Sequence, residues 1–89
     1  MKNTKRWTVI FRTLSNINRL KIIEMLLMGQ KMTVSDISNN LKISFKATSN
    51  HLAMLKNLDV LESLGKDGHV FYFINPKMPE DFYDTIHSL

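Results

Sequence analysis

The stretch that decides the fold runs from Ser44 to Leu58 and reads SFKATSNHLAMLKNL. Leu52, Leu55 and Leu58 recur at the spacing of one helix face, which predicts an amphipathic helix. The other face carries short, polar or basic residues at the same spacing, namely Lys46, Ser49, Asn50, Ala53 and Lys56. A helix with an outward face of this kind is suited to enter the major groove of DNA.

Two weaker patterns before this stretch predict the helices that would hold it. Asn16 is a suitable N-cap for a helix over Ile17 to Met28. Thr33 to Asp36 resembles a capping box and opens a further short helix. Because only Lys42-Ile43 separates that helix from Ser44, the last two helices are predicted to form a helix-turn-helix.

A β-hairpin is predicted directly after the long helix. The runs Val60 to Leu64 and His69 to Ile74 contain many β-branched and aromatic residues, and Asp67-Gly68 lies between them. An Asp-Gly pair between two such runs is a strong signal for a tight hairpin turn. The prediction is therefore an α+β, mostly helical fold, a winged helix-turn-helix with a two-stranded wing, in one domain covering residues 1–89.

Both ends of the chain are predicted to be amphipathic helices, one over Thr4 to Leu14 and one over Glu80 to Leu89. The first has a heavy aromatic load on one face, which is typical of a subunit interface but is explained equally well by ordinary core packing. Our hypothesis is that the two helices form the interface of a homodimer. The residues predicted to line it are Trp7, Ile10, Phe11, Leu14, Phe82 and Ile86.

Composition narrows the function classes. The 89 residues carry a formal net charge of +4 and contain no cysteine. The absence of cysteine excludes disulfides and thiolate metal sites, and no apolar run is long enough to span a membrane. The basic balance favours a polyanionic partner, although it is also common in proteins that bind no nucleic acid. We expect a soluble, cytoplasmic protein that is not an enzyme and needs no cofactor.

Three local motifs resemble the ArsR-type family of winged-helix transcriptional repressors. Leu14 to Ile23 resembles the family's Leu-x-x-x-x-Arg-x-x-Ile-Leu helix, and Thr48 to Leu55 resembles its Val-Ser-x-His-Leu-x-x-Leu pattern. Gly68 to Tyr72 is similar to its Gly-Arg-x-x-Tyr strand. The resemblance covers roughly residues 14–75 and implies a dimeric regulator that binds double-stranded DNA, many members of which sense metals.

The chain departs from this family at the metal-sensing positions. Thr33 and Ser35 stand where metal-sensing members often carry two cysteines, so that site cannot bind a soft metal. Asp84 and His87 match part of a second family site, but the usual fuller ligand set is missing. No metal site is predicted, and a metal-responsive repressor is kept as an alternative.

The resemblance implies that Lys46, Ser49 and Asn50 contact DNA bases or phosphates, with Asn50 suited to adenine. Phe45 could pack on thymine methyl groups, but folding back onto the domain is favoured because an exposed Phe costs solubility. A half-buried structural role is favoured for His51. The full predicted DNA-binding set is Ser44, Lys46, Ser49, Asn50, Lys56, Lys66 and His69.

The predicted function is therefore a homodimeric transcriptional regulator that binds a palindromic operator, and the family resemblance favours a repressor. Lys66 and His69 at the hairpin tip could touch the DNA backbone or could simply be solvated. A winged helix can also serve as a protein-interaction module, because a fold does not fix a function. The operator and any inducing signal cannot be read from the sequence.

Overall fold

A computed structural model describes residues 1–89 as five helices and three strands. In chain order these are α1 Thr4–Leu14, α2 Ile17–Leu27, β1 Met32–Thr33, α3 Val34–Leu41, α4 Phe45–Asn57, β2 Leu61–Lys66, β3 His69–Ile74 and α5 Glu80–His87. The helix-turn-helix is α3 and α4, and the β2–β3 hairpin is the wing. The predicted winged-helix fold is confirmed. None of the helices combines the length and the apolar character needed to cross a lipid bilayer.

Three helices begin where side chains satisfy their first backbone N–H groups. The Asn16 side chain accepts from the backbone N–H groups of the second and third residues of α2 at 3.0 and 3.1 Å. Thr33 and Asp36 form a reciprocal capping box at the start of α3. Ser44 Oγ accepts from Ala47 N at 3.0 Å at the start of α4. These predicted helix starts are confirmed. The sequence could predict them because each cap is formed between neighbouring residues.

The turn between α3 and α4 is tight because Lys42 adopts a left-handed backbone conformation. Its φ is 58° and it caps the C-terminus of α3. The backbone N–H of Ile43 then donates to Ser38 O at 3.3 Å, and Ser44 caps the next helix. This sharp reversal packs α4 against α3 and leaves the start of α4 accessible.

The sheet contains one more strand than the sequence predicted. Its order is β1-β3-β2, with both pairs antiparallel. Asp67 and Gly68 have φ values of 54° and 78°, the positive angles that a tight primed hairpin turn requires. β1 pairs Met32 with Tyr72 and Thr33 with Phe71. Two residues are too short to show the alternation by which a strand is recognised in a sequence.

The core draws on every helix and includes part of the predicted dimer interface. Its fully buried members come from α1, α2, α3, α4, the wing and α5. Four residues predicted to face a partner subunit are buried inside this chain, namely Ile10, Leu14, Phe82 and Ile86. Ile10 and Phe82 have no exposed surface to offer a partner, and Leu14 and Ile86 are only 8% and 5% exposed. Trp7 is partly buried against the core, and Phe11 remains exposed.

The two terminal helices are joined by an ion pair. Arg6 Nε donates to Asp81 Oδ2 at 2.8 Å, and Arg6 Nη2 donates to Asp81 Oδ1 at 3.1 Å. The guanidinium also lies 5.1 Å from the centre of the Phe82 ring. The hydrogen bonds from Arg6 hold the pKa of Asp81 below its ordinary value. This two-pronged contact fixes α1 against α5.

Candidate nucleic-acid interface

The helix α4 is divided into a buried and an exposed face, as its sequence pattern predicts. Leu52 and Leu55 are fully buried, and so is Thr48, whose Oγ1 donates to Ser44 O at 2.9 Å. On the other face, Lys46 and Asn50 are exposed, and the neighbouring Ser49 is half-buried. The helix is therefore anchored by one side and presents the other, which is polar and basic, to solvent.

The first turn of α4 is well disposed toward an anion. It contains Lys46 and no acidic residue. Since the first backbone N–H groups of a helix carry partial positive charge, a cation placed there adds to that charge instead of neutralising it. Ser44 Oγ is already occupied by the N-cap hydrogen bond. Its contribution is therefore to shape the start of the helix.

Lys56 lies apart from the other polar residues of α4. It is in the last turn, and its Nζ donates to Ser63 Oγ of β2 at 2.7 Å. Ten residues along a helix correspond to roughly 15 Å, which separates Lys56 from Lys46. The predicted set thus divides into a group at the start of α4 and a lysine that is bonded to the wing.

The wing supplies the remaining predicted residues. Lys66 and His69 are exposed and face each other across the hairpin. The His69 ring lies 6.3 Å from the Phe71 ring in an edge-to-face arrangement. A cation and an imidazole at the free end of a hairpin can both reach a phosphate, but neither is held by a hydrogen bond that would orient it.

An open groove separates the start of α4 from the wing, and Phe45 lies in it. The groove is lined by the start of α3, Phe45 and the strand residues Gly68 to Tyr72. Phe45 is 58% exposed and Val70 is 48% exposed. The expectation that Phe45 folds back onto the domain was wrong, because its side chain lines this open groove and does not pack against the core.

Arg19 joins the end of α1 to α4, a role that the sequence did not reveal. Its guanidinium donates to Thr13 O at 2.8 Å and to Arg12 O at 2.9 Å, and its Nη1 lies 3.3 Å from His51 Nδ1. Burial, and secondarily the charge of Arg19, lower the pKa of His51. All three guanidinium nitrogens of Arg19 thus make a contact within the domain. His51 is half-buried, as predicted.

The positions that resemble metal sites have other contacts. Thr33 Oγ1 accepts from Asp36 N at 3.1 Å in the capping box, and Ser35 O accepts from the Ser38 hydroxyl at 3.1 Å. The His87 ring lies 4.0 Å from the Tyr83 ring. No three His, Cys, Asp or Glu side chains come together in the chain as a metal-binding group.

Comparison with known families gives a specific match. The sequence model of a family described as "Bacterial regulatory protein, arsR family" matches residues 16–63. The matched segment contains the N-cap of α2, both helices of the helix-turn-helix and the first three residues of β2.

Individual relatives carry regulatory names. The cadmium resistance transcriptional regulatory protein CadC of Listeria innocua is 46% identical over 65 residues, which are 72% of this chain and 54% of that protein. This chain therefore spans about half the length of that curated relative. The transcriptional repressor SdpR of Bacillus subtilis is 33% identical over 81% of this chain and 79% of that protein. Among solved structures, reduced HlyU from Vibrio cholerae superposes with a TM-score of 0.80 at 28% identity, over 99% of this chain and 88% of that one.

Proposed function

Because this chain belongs to the ArsR family of bacterial regulatory proteins, we propose that it is a DNA-binding transcriptional regulator. We propose further that it acts in the cytoplasm as a homodimer on a palindromic operator. The observation that carries the proposal is the exposed, polar and basic face of α4, the second helix of the helix-turn-helix, beside an exposed wing. Helices in this position generally enter the major groove with their first residues toward the bases.

The base-reading residues in this proposal are at the start of α4. Asn50 is exposed and its amide could form two hydrogen bonds with adenine, while Lys46 could reach guanine or a phosphate. Ser49, being half-buried and short, suits a contact with the nearest base or phosphate. Ser44 supports this group by capping the helix.

The wing has a different role in the proposal. Lys66 and His69 would contact the sugar-phosphate backbone, because exposed and unoriented side chains give little discrimination between bases. Lys56, whose amine is bonded to Ser63, would contribute positive potential near the DNA and hold the wing against α4.

The homodimer would form through the exposed side of α1 together with α5. Trp7 and Phe11 remain from the predicted interface, with ring centres 5.6 Å apart and Phe11 60% exposed. Tyr83 and Leu89 add exposed apolar surface at the C-terminal end. Since the Arg6–Asp81 ion pair fixes α1 against α5, both helices can present one continuous surface to the same helices of a partner.

We propose that this regulator represses transcription. The relative SdpR is named a repressor, whereas HlyU of Vibrio cholerae, 28% identical over 99% of this chain, is named a transcriptional activator. A reporter gene placed behind the selected operator distinguishes repression from activation. Repression predicts lower reporter output when the protein is present.

Selection from a pool of random DNA duplexes tests the proposed function directly. We expect one enriched, palindromic sequence, bound by two copies of the chain. Asn50→Ala should relax the preference at specific base pairs, and Lys66→Ala should weaken binding to all sequences and reduce its salt dependence. Lys77→Ala is the matched control, because Lys77 is exposed at the end of the hairpin opposite the wing tip and should leave binding unchanged.

Two results would contradict the proposal. Equal losses on every sequence from Asn50→Ala would remove the base-reading role of that residue. Failure to enrich any sequence, with competitor DNA abolishing the electrophoretic shift, would favour a protein-interaction module instead. A monomer in light scattering at micromolar concentration would refute the homodimer alone.

A further inference from the structure

Phe45 has an unusual place for a large apolar side chain. It is the first residue of α4, directly between the N-cap Ser44 and Lys46. Its side chain is 58% exposed and is not among the partly buried residues that pack against the core. A partner that binds the exposed face of α4 would gain free energy by covering this ring, because apolar surface would be removed from water.

The surroundings of Phe45 point to DNA as the molecule that covers it. Lys46 follows it in α4, and His69 lies across the groove, with Lys66 opposite in the wing. Asp36, the acid that lines the same groove, accepts a hydrogen bond from Thr33 N in the capping box. A ring that adjoins Lys46 in α4 and faces a wing carrying Lys66 fits a polyanion that offers an apolar group between its phosphates.

We propose that Phe45 determines sequence specificity by packing against the C5-methyl group of a thymine in the major groove. Among the major-groove edges of the four bases, only that of thymine carries a methyl group, while the other edges present hydrogen-bonding atoms and ring C–H. A phenyl ring cannot satisfy a buried donor or acceptor, so it would select for thymine and against a base whose polar edge it desolvates. Each half of the operator would then contain one required thymine.

This inference rests on the proposed DNA-binding function and adds a named contact to it. The wing residue Val70 is 48% exposed in the same groove, so the methyl group would meet a second apolar side chain on the wing side. Asn50, five residues or roughly 7.5 Å further along α4, would read a different base pair.

The test replaces each thymine of the selected operator, one at a time, by deoxyuridine, which lacks only the methyl group. With the unaltered protein, the substitution should lower the affinity for the duplex about fourfold at one thymine position in each half-site and at no other position. A fourfold loss is the expected effect of leaving one methyl group unburied. Phe45→Ala and Phe45→Gln should each weaken binding to the thymine operator by a similar factor. In both variants the deoxyuridine substitution at that position should then have no further effect.

Lys66→Ala is the matched control. It should lower affinity for the thymine and deoxyuridine duplexes equally, so the fourfold difference between them should persist. Circular dichroism of the Phe45 variants should match that of the unaltered protein, since the ring is not part of the core.

The outcomes separate this inference from the proposed function. If an operator is selected but no deoxyuridine position matters, or if the effect persists in Phe45→Ala and Phe45→Gln, the methyl contact is refuted and DNA binding stands. If no sequence is selected from the random pool, the proposed function fails and the inference fails with it.

Discussion

Replacing Arg19 by Met tests how the recognition helix is held in the domain. The guanidinium donates to Thr13 O at 2.8 Å and to Arg12 O at 2.9 Å, carbonyls near the end of α1. Carbonyls in the last turn of a helix have no partner within it, so Arg19 supplies one to Thr13 O from outside. Arg12 O also accepts from the Ser15 hydroxyl at 3.2 Å. Methionine keeps much of the apolar stem and removes every donor.

The expected loss is about 2 kcal/mol in the free energy of unfolding. Hydrogen bonds from a charged donor contribute roughly 1.5 to 3 kcal/mol each when well buried, and about 1 kcal/mol each is appropriate for a half-exposed side chain. For a domain of this size, such a loss corresponds to a decrease of about 10 °C in Tm. The assay is thermal unfolding followed by circular dichroism, at one fixed protein concentration because dimerisation also shifts Tm.

Two comparisons make the Arg19 experiment decisive. Lys21→Met, two residues further along α2 at an exposed position, should change stability by less than about 0.5 kcal/mol. Arg19→Lys keeps the charge but has a single amine, so it should recover only part of the loss. If Arg19→Met lowers Tm by no more than the Lys21 control does, the hydrogen bonds of Arg19 contribute no net stability and the reasoning is wrong.

Three further predictions concern other contacts. Because burial and Arg19 lower the pKa of His51, the folded state disfavours its charged form. The resulting stability is fully present above the ordinary pKa of about 6.5 and is lost as pH falls through the lowered pKa. The urea midpoint should therefore drop between pH 7.5 and 5.5, and it should drop less in His51→Gln. Asp81→Asn should cost about 0.5 to 1 kcal/mol, since the Arg6 and Asp81 side chains are 36% and 30% exposed, whereas Asp84→Asn on the same helix should cost almost nothing in the same urea titration. Phe82→Ala should cost about 3 to 5 kcal/mol by chemical denaturation, and a loss below 1 kcal/mol would show that Phe82 is not in the core.

The helix-turn-helix could be predicted because local chemistry decides it. Asn16, Thr33 and Ser44 cap helices through hydrogen bonds to residues at most three positions away, and the Asp67-Gly68 turn depends on two adjacent backbone conformations. Interactions of this range leave residue types at a fixed spacing in the sequence. The start of α4 was therefore predictable to the residue.

The contacts that organise the candidate site could not be predicted because they join distant parts of the chain. Arg19 meets His51 across 32 positions, and β1 pairs with β3 although it is only two residues long. A single arginine belongs to no repeating pattern, so the sequence does not indicate which atoms accept its hydrogen bonds. The difficulty with Phe45 is a different one. An apolar residue type indicates a preference for burial, but it does not indicate which molecule covers the side chain.

The division of α1 shows which of the predicted interface residues the core buries. Trp7 and Phe11 are four residues apart, and so are Ile10 and Leu14, so the apolar face of α1 consists of two adjacent rows. The row of Ile10 and Leu14 is buried by the chain's own core, while the other row keeps Phe11 exposed with Trp7 beside it. Hydrophobic spacing predicts that both rows of side chains are buried, but it cannot tell which row is buried by the domain itself and which by a partner. A substitution in the second row, such as Phe11→Glu, should therefore separate the subunits without unfolding them. If the variant instead unfolds as a monomer, Phe11 belongs to the core.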